Sequence, residues 1–586
     1  MFRTVSLALR TTRRTVLSCT MATEASETSQ KFSEVCEGEA KILFPDTGDV
    51  FYNPVQEFNR DISIAVIKAF SEVYEPYQYI HGRWKKPSKP ASDGASEAAV
   101  EDRTPSSNIR ILEALSATGL RSVRYAKEIP KASHIVANDY SEAAVSLIQR
   151  NVDHNGCADK VKANCADASV LMQNSASKAG DFYDVVDLDP YGAPSQFLDG
   201  AVKCVAEGGL LCVTCTDLAV LCGNHGEACY SKYGSVALRS PYCHEMALRI
   251  LLASVSTHAC RYQRYIEPVV ALSVDFYIRV FVRVYTGQGK ANQTATKLAS
   301  VHNCVGCNSF HLQPISRKVQ TKGDNYKIVP GTSVGIPSEC TECGSRFNIG
   351  GPIWTGPMHD KEFVDRVIDS VVASRESYGT ADRIIGMLSI VSEDLHDVPL
   401  HYSVTGLSRI LHVSTPKVLA FRSALIRLGY RVSYVHSSEY GLRTDAPTSV
   451  VFDILRAWVK TNPIKDPAPN SPAAKILSRE PAVDVCFDIL PEANPPSRQH
   501  NLLRYQINPE PNWGPKCKAK KRKADDSSET EPDKRKRLQD KRTKKPKPNL
   551  KMYACKNFKE GTCPFPEEEC RYHHNLEPAV ESAPES

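Results

Sequence analysis

The apolar positions of this chain change period repeatedly between residues 109 and 217. "IRILEALSA" (109–117) reads as a strand, and "GLRSVRYAKEI" (119–129) spaces its apolar residues as a helix. "HIVAND" (134–139) is a strand, and "SEAAVSLIQRNVDHNG" (141–156) is a helix stopped by Gly156. "DKVKANCADA" (159–168) predicts a strand followed by a helix, "YDVVDLDP" (183–190) a strand, "SQFLDGAVKCVAEGG" (195–209) a helix and "LLCVTCTD" (210–217) a strand. Strand and helix in such alternation predict an α/β fold with a doubly wound parallel sheet. "VVALSVDFYIRVFVRVYTG" (269–287) is long, β-branched and aromatic, which suits antiparallel strands closing one edge of that sheet. No fixed-period repeat interrupts the pattern.

Two further regions carry periodicity. "FVDRVIDSVVASR" (363–375) and "STPKVLAFRSALIRLGYRVSYVHSS" (414–438) show helical spacing and then a strand, predicting a compact α/β module of winged-helix character suited to the body of an RNA. By contrast, "KPASDGASEAAVEDRTPSSN" (89–108) is polar and rich in Pro and Ser, and reads as a disordered insert.

In open parallel sheets a ligand lies beyond the carboxyl ends of the strands. The first strand runs into "ALSATGLR", where Gly119 permits a close backbone approach without forming a full G-x-G-x-x-G. The second ends at Asp139, about 20 residues on, where an acid in these folds binds ribose hydroxyls. The third ends in "NCADAS", which offers Asp167 and Ala168 where an adenine edge would lie. A nucleoside-bearing cofactor follows, with NAD and S-adenosyl-L-methionine both open at this point.

The fourth strand separates them. It ends Asp189-Pro190-Tyr191-Gly192. An exocyclic amine on a nucleobase is a poor nucleophile because its lone pair is delocalised into the ring. Asp189 and the Pro190 carbonyl can accept the amine hydrogens while Tyr191 stacks on the base, aiming the lone pair at a sulfonium methyl. The plain alternative is an Asp-Pro turn that merely stops a strand. Asp187, inside the strand, is read as structural.

Several motifs occur together and in order: "FYNPVQEFNRDISI" (51–64), "LEALSATGLRSVRYA", "DLDPYGAP", "CTDLAVLCGNHGEACYSKYG", "CHEMALRIL", "GPIWTGP" and "EYGLRTDAP". Together they resemble the tRNA guanosine 26 N2-dimethyltransferase family from about residue 37 to 460. The resemblance implies a class I (Rossmann-like) fold binding S-adenosyl-L-methionine, and two methyl transfers to N2 of one guanine in tRNA. It implies that Arg60 and Arg121 hold the methionine end of the cofactor, where guanidinium groups suit a carboxylate. Asp139, Asp167 and Ala168 would hold the adenosine, Phe51 and Tyr191 would sandwich the guanine, and Asp189 would take its amine. Glu113 stands where the family commonly has Asp, and Tyr191 where some members have Phe. Two other readings compete: a different amino-methyltransferase sharing the Asp-Pro-aromatic turn, and a zinc-bearing RNA-binding protein with an inactive Rossmann domain.

The 20 cysteines, without a secretory signal, fit a reducing compartment and metal sites rather than disulfides. "CVGC" and "CTEC" place Cys304, Cys307, Cys340 and Cys343 as two knuckles of a structural zinc site. "ACKNFKEGTCPFPEEECRYHH" supplies Cys555, Cys563, Cys570 and His574, which resembles a CCCH zinc finger; His573 competes as fourth ligand. Phe558, Phe565 and Tyr572 either stack on unpaired bases or form the finger's small core.

Net charge is only +6, from 73 Lys and Arg against 67 Asp and Glu, so the distribution matters more than the sum. Basic clusters at 516–523 and 534–547 suit phosphate contacts or the nuclear import machinery, in a tether expected to be disordered. Residues 1–22 carry Arg3, Arg10, Arg13 and Arg14 with no acid before Glu24, resembling a mitochondrial presequence. Mitochondrion and nucleus are the compartments expected, with cytoplasm possible. No apolar run approaches the ~20 residues that span a bilayer, so no membrane partner is expected. The domains expected are a methyltransferase at 37–299, a zinc module at 300–350, a family-specific domain at 351–465, an extension at 466–515, a linker at 516–550, a finger at 551–576 and an acidic tail at 577–586.

Overall fold

A computed structural model describes residues 32–45, 52–80, 83–86, 108–177, 181–321, 323 and 325–506, and positions 555, 558, 561, 563, 564, 566, 569, 570 and 574. The expected presequence, residues 89–107 of the insert expected at 89–108, and the basic tether lie outside the described residues. The chain forms two compact units, Met1–Lys516 and Cys517–Ser586.

The first unit is built on seven strands: β1 (Ile109–Glu113), β2 (Ala132–Asp139), β3 (Val161–Cys165), β4 (Tyr183–Leu188), β5 (Val205–Cys215), β6 (Arg264–Val274) and β7 (Tyr277–Thr286). Their order across the sheet is β6-β7-β5-β4-β1-β2-β3. The run from β5 to β3 is parallel, whereas β7 is antiparallel to both β5 and β6. Both faces are covered, which is why the central strands read as nearly continuous apolar runs. Ile111, Val185 and Cys212 point to the side packed by α1 (Glu57–Val73), α2 (Leu120–Glu128) and α3 (Glu142–His154). Their neighbours Leu112, Val186 and Leu211 point to the side packed by α4 (Ala168–Ser177), α5 (Leu198–Cys204) and α6 (Cys243–Cys260).

The first strand, expected to Ala117, ends at Glu113, and the helix after β4 is also shorter than expected. The helix anticipated to Gly209 stops at Cys204, and β5 begins at Val205. Tertiary contacts override the local pattern there: Arg264 donates to the carbonyls of Val202 and Val205 at 2.7 Å and of Ala206 at 3.0 Å. Gly208 then turns at φ 64°, and a Cβ on Gly209 would lie 2.8 Å from the Asp184 carbonyl. An N-terminal hairpin, Phe32–Glu37 with Ala40–Pro45, was not anticipated; Asn151 and Asn155 on and after α3 accept its backbone N–H groups.

The four-cysteine module is a three-stranded sheet with Leu298–Cys304 at its centre, flanked by Phe310–Pro314 and Phe347–Trp354. The expected limits at 300 and 350 therefore fall inside strands. Beyond it, Tyr402–Ser403, helices Val404–Ile410 and Val418–Arg427, and strands Val432–Val435 and Ser438–Thr444 have the first-third-second strand order of a winged helix. The second of these helices is not left open to a nucleic acid along its whole length. Arg422 donates to the Ala493 carbonyl at 2.8 Å and Ser423 accepts from Leu490 N at 2.9 Å, so the extension lies along it. No helix among the described residues is long and apolar enough to cross a membrane.

Candidate active site and metal centres

The carboxyl end of β4 gathers the site. Asp187, still within the strand, is fully buried and pairs with Arg279 at 2.9 Å, the Tyr125 hydroxyl at 2.6 Å and Arg121 at 3.6 Å. Burial pushes its carboxyl up, but Arg279 and Arg121 outweigh that and hold it below the usual range. All three partners are themselves buried.

Two residues on, Asp189 reaches the edge, with a fifth of its side chain exposed. Its Oδ2 accepts from Arg121 Nη2 and has Asn59 Nδ2 at 3.5 Å. Pro190 is buried, whereas Tyr191 is 78 % exposed. Burial, then Asp189 and Asp139, raise the Tyr191 hydroxyl above its ordinary value, so both carboxylates act on that ring. Gly192 takes φ 79° and is held from behind: its N–H donates to Thr216 Oγ1 at 2.8 Å, and its carbonyl accepts from Thr216 N at 3.1 Å.

The adjoining strand ends present the other candidates along the same edge. Gly119, at φ 78°, opens α2. Asp139, at the end of β2, accepts from Ala117 N and Ser141 N, each at 3.0 Å, and so shapes the loop after β1. Asp167 caps α4 by accepting from Ser169 N at 2.8 Å and Val170 N at 3.1 Å, and Ala168 is buried behind it. Phe51 lies outside the described residues.

The two arginines carry partners that the sequence did not foretell. Arg60 forms a two-pronged pair with Glu37 of the N-terminal hairpin and donates to the Asn53 carbonyl at 3.2 Å. Arg121 is buried among Asp189, Asp187 and Glu113, with Ser63 Oγ at 2.9 Å. Burial opposes its charge, but Asp189 and Asp187 hold the guanidinium protonated. Burial lifts the Glu113 carboxyl to about 7, against Arg121 and the hydroxyls of Ser116 and Ser122. The sequence reading missed Asn59 and Thr216. Asn59 stands beside Arg60 in "NRD", and only the packing of α1 against the end of β4 singles it out.

Both expected metal clusters converge. Cys304, Cys307, Cys340 and Cys343 are buried with ligand atoms mutually within 4.8 Å; Cys304–Cys343 sulfurs are 3.3 Å apart and Cys307–Cys340 3.6 Å. In the second unit, Cys555, Cys563, Cys570 and His574 converge likewise, with sulfur separations of 3.7 and 3.9 Å. A tetrahedral zinc with bonds of about 2.3 Å sets its sulfurs about 3.8 Å apart, so both donor sets fit that ion. The Phe558 ring stacks on His574 at 4.1 Å and so braces one of the four converging donors. Phe565, Tyr572 and His573 lie outside the described residues.

A family model described as N2,N2-dimethylguanosine tRNA methyltransferase matches residues 30–456. The tRNA (guanine(26)-N(2))-dimethyltransferase of Mus musculus is 45% identical over 94% of this chain and 88% of its own length. A mitochondrial enzyme of the same name from Saccharomyces cerevisiae is 35% identical over 83% of this chain and 92% of its own. Trm1 from Pyrococcus horikoshii, in its complex with S-adenosyl-L-methionine, is 30% identical and superposes with a TM-score of 0.57, covering 72% of this chain and 99% of that one. Sheet order, the Asp-Pro-Tyr strand end and these likenesses agree: the chain belongs to the N2,N2-dimethylguanosine tRNA methyltransferase family.

Proposed function

We infer that this chain transfers two methyl groups from S-adenosylmethionine to the exocyclic N2 of guanosine 26 in tRNA. The observation that carries the reading is the strand end Asp189-Pro190-Tyr191, clamped through Gly192 to Thr216 and set on one edge with Asp139 and Asp167. S-adenosylmethionine, when bound, supplies an electrophilic methyl on sulfur. Asp139 suits its ribose hydroxyls and the Asp167–Ala168 turn its adenine.

Arg60 and Arg121 are the groups we assign to a cofactor carboxylate. Each already holds an acid, Glu37 and Asp189 respectively, so a carboxylate arriving there shares or replaces an existing partner. The two contacts on Asp189 fall on Oδ2, and we assign Oδ1 to the guanine amine. Tyr191 stacks on one face of the base, and Phe51 is assigned to the other. This acceptor set serves the reaction twice. An unmethylated amine offers two hydrogens and a monomethylated one still offers one, whereas the dimethylated product offers none and loses its anchor.

Zinc is assigned to both cysteine clusters in structural roles, since each supplies four protein ligands and no open position. The basic segment 516–550 is assigned to tRNA phosphates and nuclear import, and residues 1–22 to mitochondrial targeting. Incubating purified protein with tRNA and labelled S-adenosylmethionine, followed by mass spectrometry of the nucleosides, tests the reading. Label confined to N2-methyl- and N2,N2-dimethylguanosine is expected; label in adenosine or none at all overturns it.

A further inference from the structure

The loop that backs the catalytic turn carries a third cluster of soft donors. Thr216, which clamps Gly192, leads into the short helix Leu218–Leu221, and Cys222 caps that helix at its carboxyl end. Cys243 and His244 open α6. Cys222, Cys243 and His244 are each half-buried, with one donor atom apiece mutually within 4.8 Å. Cys222 Sγ lies 4.0 Å from His244 Nδ1. Zinc bonds of about 2.3 Å to sulfur and about 2.0 Å to nitrogen, at a tetrahedral angle, separate those atoms by about 3.6 Å, so a small contraction closes the set.

The donors are held by backbone rather than by chance surface placement. Cys222 N donates to the Leu218 carbonyl at 2.8 Å, and the next residue, Gly223, turns at φ 92°. A Cβ on Gly223 would sit 2.5 Å from Arg239 N, so the loop lies directly on the segment leading to α6. The residue after His244 is Glu245, which is buried and takes Arg249 and Arg443 at 2.8 Å each and His401 at 2.8 Å. That network fixes the start of α6, and with it the direction of the Cys243 and His244 side chains. Both cysteines are free thiols in this structure.

We propose that Cys222, Cys243 and His244 form a third zinc site, separate from the two four-ligand clusters, with water completing the tetrahedron. Two thiolates and an imidazole are a donor set that zinc favours, and half-exposure lets water reach the fourth position. The ion ties the loop after β5 to the start of α6. Through Thr216 it thereby steadies the turn that carries Asp189 and Tyr191.

Metal analysis and thiol labelling of the full-length protein test this. Cys222→Ser and His244→Ala are each expected to lower zinc content by one equivalent relative to wild type, whatever the wild-type total. Cys304→Ser removes a different equivalent. In wild-type protein, iodoacetamide should leave Cys222 and Cys243 unmodified until a chelator is added, as read by peptide mass spectrometry. That readout needs no variant, so it stands even where a substitution impairs folding. A folded Cys222→Ser protein with wild-type zinc content overturns the proposal. So does labelling of both thiols at the same rate with and without chelator, or recovery of a Cys222–Cys243 disulfide from the freshly purified enzyme.

Discussion

Asn59 Nδ2 lies 3.5 Å from Asp189 Oδ2, across the gap between α1 and the end of β4. The same amide nitrogen donates to Gln56 Oε1 at 2.7 Å, and Asn59 Oδ1 is buried without a hydrogen-bond partner. A side chain held in this way steers a carboxylate without neutralising it. The contact is at the long limit for a hydrogen bond, so its loss is worth the lower end of about 1.5 to 3 kcal/mol. Asn59→Ala should therefore lower kcat on the order of tenfold while cofactor affinity holds. Steady-state kinetics with calorimetry checks this; unchanged kcat removes Asn59 from the site.

Asp189→Ala should abolish methyl transfer, because the acceptor assigned to the amine is gone. It should not unfold the protein. Arg121 keeps Asp187 at 3.6 Å and Glu113 at 3.8 Å, so its charge is not left alone in the core. A melting temperature close to wild type, with turnover at background, is the expected pair of results. A variant that turns over normally sinks the assignment.

Much of this architecture was legible because period and position carry it. The β1 to β5 alternation, the edge hairpin and the Asp189, Asp139 and Asp167 strand ends follow from apolar spacing and from where ligands sit in open sheets. Cysteine spacing announced both four-ligand clusters. What stayed hidden depends on contacts between distant segments. Arg264 shortens α5, Glu37 of an unforeseen hairpin captures Arg60, and Asp189 captures Arg121. None of these partners is near its arginine in sequence, so no local pattern could have named it. The Cys222, Cys243 and His244 set escaped for the same reason: its spacing matches no knuckle.

Glu113 makes a pH prediction with a definite sign. Burial raises its carboxyl from 4.5 to about 7 in the fold. Between those values the folded protein holds a proton that the unfolded chain releases, so stability falls as pH rises, by up to about 1.4 kcal/mol per pH unit. The contribution is fully present below 4.5 and lost above about 7. Glu113→Gln, which mimics the protonated form, should flatten this slope in urea denaturation at pH 5 and pH 8. Equal slopes in both proteins would show that Glu113 ionises freely.

The two four-ligand clusters should separate in thermal melts. Cys304, Cys307, Cys340 and Cys343 sit in a core shared with Tyr402, Phe421 and Leu455, so losing the zinc assigned to them should open buried structure in the first unit. Cys304→Ser should lower its melting temperature and zinc content together. Cys563 belongs to the second unit, and Cys563→Ser should release zinc while the main transition stays where it was. Calorimetry with metal analysis distinguishes them, and a common shift in both variants contradicts the separation.

The last prediction concerns what the second unit and its basic tether add to a complete catalytic core. A guanine within folded tRNA is stacked, and bringing it to Tyr191 and Asp189 costs a few kcal/mol of unstacking. Contacts elsewhere must offset that cost. The clusters at 516–523 and 534–547 suit phosphate binding, and each phosphate neutralised releases a condensed counterion. Truncation after Trp513 should leave cofactor affinity intact, weaken tRNA binding and make log affinity depend less steeply on log salt. The loss should appear mainly in KM for tRNA, because such contacts are equal in ground and transition states. The extension already lies along the helix Val418–Arg427 through Ala493 and Leu490, which leaves the tether as a natural source of the missing phosphate contacts. If the truncated protein binds tRNA with the same affinity and salt slope, the RNA is held by the first unit alone and the tether serves only as an address.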